Sequence, residues 1–389
     1  MDGPDNTSLQ ARRVAQARIA VSIAFLILGI GPGLWAVHIP IVQERLAISP
    51  GVLGVALLVM AGGAVLAMPI MGWAVAHTGS RLPTAVCVLA YMIVTPLPML
   101  ANSVPLLFVA LFFFGLLLGG LDVAGNVQAA DVEKARGKAT MSSFHAFFSI
   151  GALAAALAGA FVIARGWGNG GGAAAICAIL FVVGALSVRY LLPSDRSEAG
   201  PKFALPSRAV LGLGLLAGLV FAVEGAVTDW SALFLTSVKV ATPETAAFGF
   251  AMYALAMAGL RLVGDPIVQR LGPRPVVVGG GLLCAIGLGV ALVSPWPLVA
   301  AVGFGLVGLG AANIAPVCFS AATRVPGVPP GMGVSAVATM GYSGFLIFPP
   351  VLGFAAELLG LSAAIGIVLV MSAAMALLGL RQRFQREAA

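Results

Sequence analysis

The chain has 389 residues, of which 60% are hydrophobic and 9% charged, and a formal net charge of +7. A soluble domain carries roughly 25% charged residues, and a water-soluble fold of this length could not hide so much apolar surface, so soluble enzymes and soluble binding modules are excluded. Nucleic-acid binding is excluded too, because the positive residues follow the loops rather than forming a patch.

A helix needs about 20 apolar residues to cross the hydrocarbon core, with its backbone polar groups satisfied within the span. Taken in chain order, six such spans lie at residues 18–40, 51–76, 82–101, 104–129, 140–164 and 172–191. Six more lie at 209–235, 246–269, 275–293, 297–320, 332–357 and 361–380. The expected fold class is an all-α membrane protein of twelve transmembrane helices in two pseudo-symmetric six-helix bundles. Residues such as Arg12, Arg81, Lys134, Arg189, Arg270 and Arg381 fall at the termini or in every second loop, whereas Arg45, Arg165 and Lys239 occupy the alternate loops. Positive residues stay on the cytoplasmic side, which places both termini in the cytoplasm. The first run is too long for a signal peptide and lacks its cleavage site, so it is expected to be retained. Cys87, Cys177, Cys284 and Cys318 each lie in a different span and read as small buried hydrophobes.

A polar segment over residues 193–208 divides an N-terminal bundle (18–192) from a C-terminal bundle (209–380), with tails at 1–17 and 381–389. The halves look like copies. Gly31 to Trp35 lines up with Ala226 to Trp230, Ser49-Pro50 with Thr242-Pro243, and Gly115-x4-Gly120 with Gly305-x4-Gly310. A repeat of the same topology at an offset near 195 residues is the arrangement of secondary transporters with two six-helix halves.

The loop Gly72-Trp-Ala-Val-Ala76-His77-Thr-Gly79-Ser-Arg81 resembles the cytoplasmic signature G-x-x-x-D-R-x-G-R-R of the major facilitator superfamily, with Ala76 and His77 in place of its Asp and Arg. Its counterpart, Asp265 to Arg274, keeps the Arg-x-Gly-x-Arg portion. Gly120-Leu-Asp122-Val-Ala-Gly-Asn126, followed by Phe144-His145 to Ser149-Ile-Gly151, is similar to spans four and five of the fucose-proton symporter group and of its uncharacterised bacterial inner-membrane relatives. That resemblance implies a transporter of the bacterial inner membrane, and it implies that the acid of span four, here Asp122, carries a proton.

Ionisable side chains within a span cost about 2.5–3.5 kcal/mol or more, so each is a functional candidate. Asp122 and Asn126 lie one turn apart and share a face, which makes Asp122 the first proton-coupling candidate. Glu224, mid-span, is the second. Asp229 stands about 140° around the helix from it and reads as an outer gate, an interhelical bond or a substrate contact. Arg261 and Asp265 suit an i to i+4 ion pair at the inner end of span eight, which reads as a latch between the halves, and Arg81 of the signature loop is a further gating candidate. Trp35 and Trp230 offer aromatic faces to a solute. His145 and Ser149 share a face of span five, and Asn313 and Tyr342 complete the substrate-contact set. His38 reads as a snorkelling polar residue near the outer interface.

The sequence has no Walker lysine motif, no His-Glu-x-x-His and no Cys-x-x-Cys. No cofactor or metal is therefore expected, and no catalytic constellation points to an enzyme. The expected activity is alternating-access transport of a small polar solute such as a sugar, coupled to protons as a symporter, by a monomer surrounded by lipid. The alternative is a proton-coupled exporter of amphipathic compounds or drugs; a membrane sensor or enzyme has the least support.

Overall fold

The computed structural model describes residues 4–137, 140–193, 210–322, 324–328, 330–382 and 384. Seven helices come first: α1 (Pro4–Leu46), α2 (Pro50–Thr78), α3 (Arg81–Val94), the short α4 (Leu97–Leu100), α5 (Val104–Arg136), α6 (Met141–Ala164) and α7 (Gly171–Ser187). Eight more follow: α8 (Leu211–Ser237), α9 (Pro243–Leu262), α10 (Gly264–Leu271), α11 (Pro273–Val293), α12 (Pro297–Ala311), α13 (Ile314–Ala322), α14 (Pro330–Leu359) and α15 (Leu361–Arg381). Among the described residues there is no strand.

Twelve stretches of this series are long and apolar enough to cross a membrane, from Leu9–Leu46 to Leu361–Arg381, and they follow the twelve expected spans. Three spans contain interruptions that hydropathy did not show. Span three turns at Thr95-Pro96, span eight stops at Leu262 and restarts at Gly264, and span ten is divided at Ala312-Asn313. The last two have a common cause. Proline lacks the N–H that would bond four residues back, so Pro266 frees the carbonyl of Leu262 and Pro316 frees that of Ala312.

The chain divides into two compact units, Met1–His38 with Val59–Gly200, and Ile39–Leu58 with Pro201–Ala389. In the first unit a fully buried cluster of Ala17, Val21, Phe25, Val132, Phe144 and Leu191 ties α1, α5, α6 and the end of span six together, with the Phe25 and Phe144 rings stacked at 5.8 Å. In the second unit α8 is the central helix, packed by α9, α12, α13, α14 and α15. The hairpin of residues 39–58 joins this unit at α14. There Glu357 accepts hydrogen bonds from the Ser49 hydroxyl and the Gly51 amide, both at 2.8 Å. All four cysteines are buried and free, as expected.

Close helix contacts show the repeat directly. A Cβ on Gly115 would collide with the Met60 carbonyl oxygen, and one on Gly308 with that of Tyr253. A single offset of 193 residues carries Met60 to Tyr253 and Gly115 to Gly308. The same offset carries Gly151 to Gly344, and the carbonyls that their Cβ atoms would meet, those of Leu26 and Gly218, are 192 residues apart. Packing thus pairs Gly115 with Gly308 rather than with Gly305, which has ordinary van der Waals room.

Candidate functional site

In the second unit, α8 is buried on most of its surface from Leu216 to Leu235, but beyond the partly buried Gly218 and Leu219, Phe221, Glu224 and Thr228 are only partly so. Spaced by three and four residues, they form one stripe along the helix. Thr228 donates its hydroxyl hydrogen to the Glu224 carbonyl at 2.8 Å, which keeps that hydroxyl satisfied within α8. The Glu224 carboxylate points at Arg261 of α9. Arg261 Nη2 donates to Glu224 Oε1 at 3.3 Å, with side-chain exposures of 23% for Arg261 and 12% for Glu224.

Arg261 also donates from Nε to the Ala312 carbonyl oxygen at 3.1 Å. This is the oxygen that Pro316 leaves without a helical donor. The break in span ten therefore creates an acceptor inside the bundle, and the guanidinium fills it. Asn313, beside that break, is buried, and its amide packs so tightly on Gly264 that any Cβ there would overlap it. Tyr253, also buried, hydrogen-bonds Thr228 and stands near both Glu224 and Arg261. Two broken helices thus converge with α8 on one ion pair, an arrangement found where transporters bind substrates and ions, because unwound backbone presents free polar groups there.

The sequence expectation pairs Arg261 with Asp265 at i to i+4. The described ion-pair partner of Arg261, which lies at the last turn of α9, is Glu224 on α8. The side chain of Asp265 lies outside the described residues. Sequence reasoning also missed the aromatic group above Glu224, in which the Phe221 ring lies 5.1 Å from Phe345, 5.8 Å from Tyr342 and 6.3 Å from Phe319. Its signal was present, since Phe221 is three residues before Glu224 and Phe345 three after Tyr342. Tyr342 is 36% exposed. Asp229 and Trp230 are buried on other faces of α8.

In the first unit, Asn126 Nδ2 donates to the Asp122 carbonyl at 2.8 Å and to its Oδ1 at 3.0 Å, both side chains being partly buried on one face of α5. Ser149 is buried and donates to the His145 carbonyl at 3.4 Å, while the exposed His145 ring meets Phe25 edge-on at 5.2 Å. Trp35 is fully buried, and its indole N–H, like that of Trp230 in the second unit, has no acceptor among the described residues. His38 has no exposed surface, and its Nδ1 lies 2.7 Å from the Leu34 carbonyl. It is a core residue rather than a snorkelling one, because the helix continues eight residues beyond it to Leu46.

Ser80, where the signature has Arg, lies 2.7 Å from both Gln128 Oε1 and Asp131 Oδ2 of α5, and Arg81 donates to the Arg189 carbonyl at 3.1 Å. A cavity of about 380 Å³ opens beside Arg18, Ser22, Arg136 and Phe147 and includes none of the candidates.

Known proteins resemble this chain over most of its length. Residues 21–238 and 220–388 match the Major Facilitator Superfamily. An uncharacterized MFS-type transporter of Yersinia pestis is 37% identical, over 90% of this chain and 92% of its own. The membrane protein MosC of Rhizobium meliloti is 31% identical, over 89% and 85%. Among solved structures, a D-xylose-proton symporter superimposes with a TM-score of 0.76 at 14% identity, covering 96% of this chain and 98% of its own. The nucleoside transporter NupG does so with a TM-score of 0.76 at 14% identity, covering 95% and 99%. At that identity they establish the fold alone. The sequence matches and the duplicated helical scaffold agree: this chain is a multi-pass membrane transporter and belongs to the Major Facilitator Superfamily.

Proposed function

We propose that the protein is a proton-coupled symporter that moves a small polar solute by alternating access, in a bacterial inner membrane with both termini cytoplasmic. The observation that carries this reading is the Glu224–Arg261 pair, held where spans eight and ten are broken. Charges placed within a span cost several kcal/mol unless paired, and backbone breaks at that depth occur where they line protein or water. Asp122 supplies a second intramembrane carboxylate, oriented by Asn126.

In this reading Asp122 and Glu224 exchange protons as water access alternates. Asn126, His145, Ser149, Asn313, Tyr342, Asp229 and the two tryptophans, Trp35 and Trp230, shape the solute path, while Arg261, Asp265 and Arg81 govern the transition between states. Loading a proton with the solute from outside and releasing both inside resets the carrier. Proteoliposomes containing the full chain, given D-xylose, uridine or gluconate as probes, should show solute-driven alkalinisation outside. Asp122→Asn should abolish that alkalinisation and leave solute counterflow. Unchanged alkalinisation in Asp122→Asn removes Asp122 from the coupling, and proton movement opposite to the solute makes the protein an exporter.

A further inference from the structure

The ion pair in the second unit also bears on which solute is carried, an inference that rests on the symport reading above. A guanidinium has five N–H donors and is always charged. Two of those donors are engaged, Nε by the Ala312 carbonyl and one on Nη2 by Glu224, and the side chain retains 23% of its surface. Part of a planar, bidentate donor fork therefore remains open at Arg261, beside the partly exposed Glu224 to which it is paired. Such a fork matches a carboxylate better than any neutral group.

Charge balance selects among solutes. With Glu224 ionised, the pair is neutral. If Glu224 takes up a proton, Arg261 keeps its charge within the membrane, at a cost that no other described side chain at the pair offsets. A cation on Glu224 likewise leaves one positive charge in excess, and a neutral sugar gives no reason to part the ions. An anion arriving with one proton restores neutrality: the proton from water goes to the Glu224 carboxylate, the Nη2 hydrogen bond to Oε1 is released, and the anion takes the freed donor.

Arg261 does not follow Glu224 out of the site, because its Nε remains on the Ala312 carbonyl. Among elements packed against α8, the titratable groups near Glu224 are Arg261 and Tyr253 of α9, with Cys284 of α11 also in its field. Of the rest, α12 carries none, α13 carries Cys318, α14 carries Tyr342 and Glu357, α15 ends on Arg381, and α8 itself adds Asp229. We propose that the solute bears a carboxylate, that Arg261 is its receptor, and that Glu224 is the acid whose protonation makes room for it.

Gluconate and sorbitol test this in the purified full chain, since they are similar polyols and only gluconate carries an acid group. Binding is read by thermal shift at pH 5.5 and 7.5, where gluconate is ionised throughout. The wild type should bind gluconate about tenfold more tightly at the lower pH, and sorbitol weakly at both. In Glu224→Gln, gluconate affinity at pH 7.5 should rise about tenfold and lose its pH dependence, a gain that a merely structural pair would not produce. Arg261→Gln should abolish the gluconate shift, and Arg261→Lys should retain part of it.

The proposal is overturned by equal shifts with gluconate and sorbitol, by gluconate binding that survives in Arg261→Gln, or by no gluconate binding in either the wild type or Glu224→Gln. Should Glu224→Gln fail to fold, the pH dependence of the wild type decides. Gluconate bound but never moved into proteoliposomes would sink the carrier reading and leave the receptor standing. Sorbitol moved with protons while gluconate stays unbound would do the reverse.

Discussion

Spans two and four share one contact with spans eight and ten, repeated at a 193-residue offset, yet only the second pair is broken. In the first half α2 and α5 run uninterrupted over Pro50–Thr78 and Val104–Arg136. Pro266 and Pro316 fall on Trp73 and Val123 at that offset, while Arg261 falls on Met68 and Glu224 on Gly31. The packing was duplicated and the charge was not. Asp122 sits on intact helix with a partner one turn away, whereas Glu224 depends on an arginine from another helix, itself held by a carbonyl that a proline exposed. One half has a carboxylate bonded to a neighbour on its own helix, and the other has an ion pair that joins two helices.

The contrast is broken most strongly at the ion pair. Arg261→Met leaves Glu224 without its partner and should destabilise the protein by about 3–5 kcal/mol, while the double variant Glu224→Gln with Arg261→Met should recover most of that loss. Asp122→Asn, which retains hydrogen-bonding capacity beside Asn126, should cost no more than about 1 kcal/mol. Thermal unfolding in detergent reads all of these. Equal effects of Arg261→Met and Asp122→Asn would mean that the two halves hold their carboxylates in the same way.

The shared scaffold makes the opposite prediction. Gly115→Ala and Gly308→Ala each drive a methyl group into a facing carbonyl, so each should cost about 1–3 kcal/mol. Gly62→Ala, where a Cβ meets nothing within 4 Å, should be neutral or slightly stabilising, because alanine is the better helix former. A large asymmetry between Gly115→Ala and Gly308→Ala would show that the repeat does not extend to energetics.

Much of this was legible before the fold was known. Hydropathy located the spans because lipid requires long apolar helices, and the Asp122–Asn126 contact followed from helical spacing alone. The Glu224–Arg261 pair was not legible, since it joins residues 37 apart in sequence across two helices, and the nearest acid on the sequence pattern was Asp265. The helix breaks were hidden for a related reason. Proline by itself does not decide: Pro69 sits inside α2, and Pro349 and Pro350 sit inside α14, without ending either helix. Span eight has Gly264 beside Pro266, and span ten has an arginine to take the freed carbonyl. Whether a proline interrupts a span thus depends on neighbours that the local sequence does not reveal.

That dependence is tested by Pro316→Ala. The new residue has an N–H, so the Ala312 carbonyl can accept within its own helix and compete with Arg261 Nε. A hydrogen bond of this kind is worth about 0.5–1.5 kcal/mol net, so thermal stability should hold or rise slightly. Transport should nevertheless fall about tenfold, because the guanidinium loses its second anchor and with it a defined orientation toward Glu224. Pro69→Ala is the control in span two, where the proline sits inside α2 without ending it, and it should leave transport unaltered. Stability and activity moving in opposite directions at Pro316, and not at Pro69, is the outcome required if the break in span ten exists to hold Arg261; parallel losses at both would reduce Pro316 to a residue that merely shapes its helix.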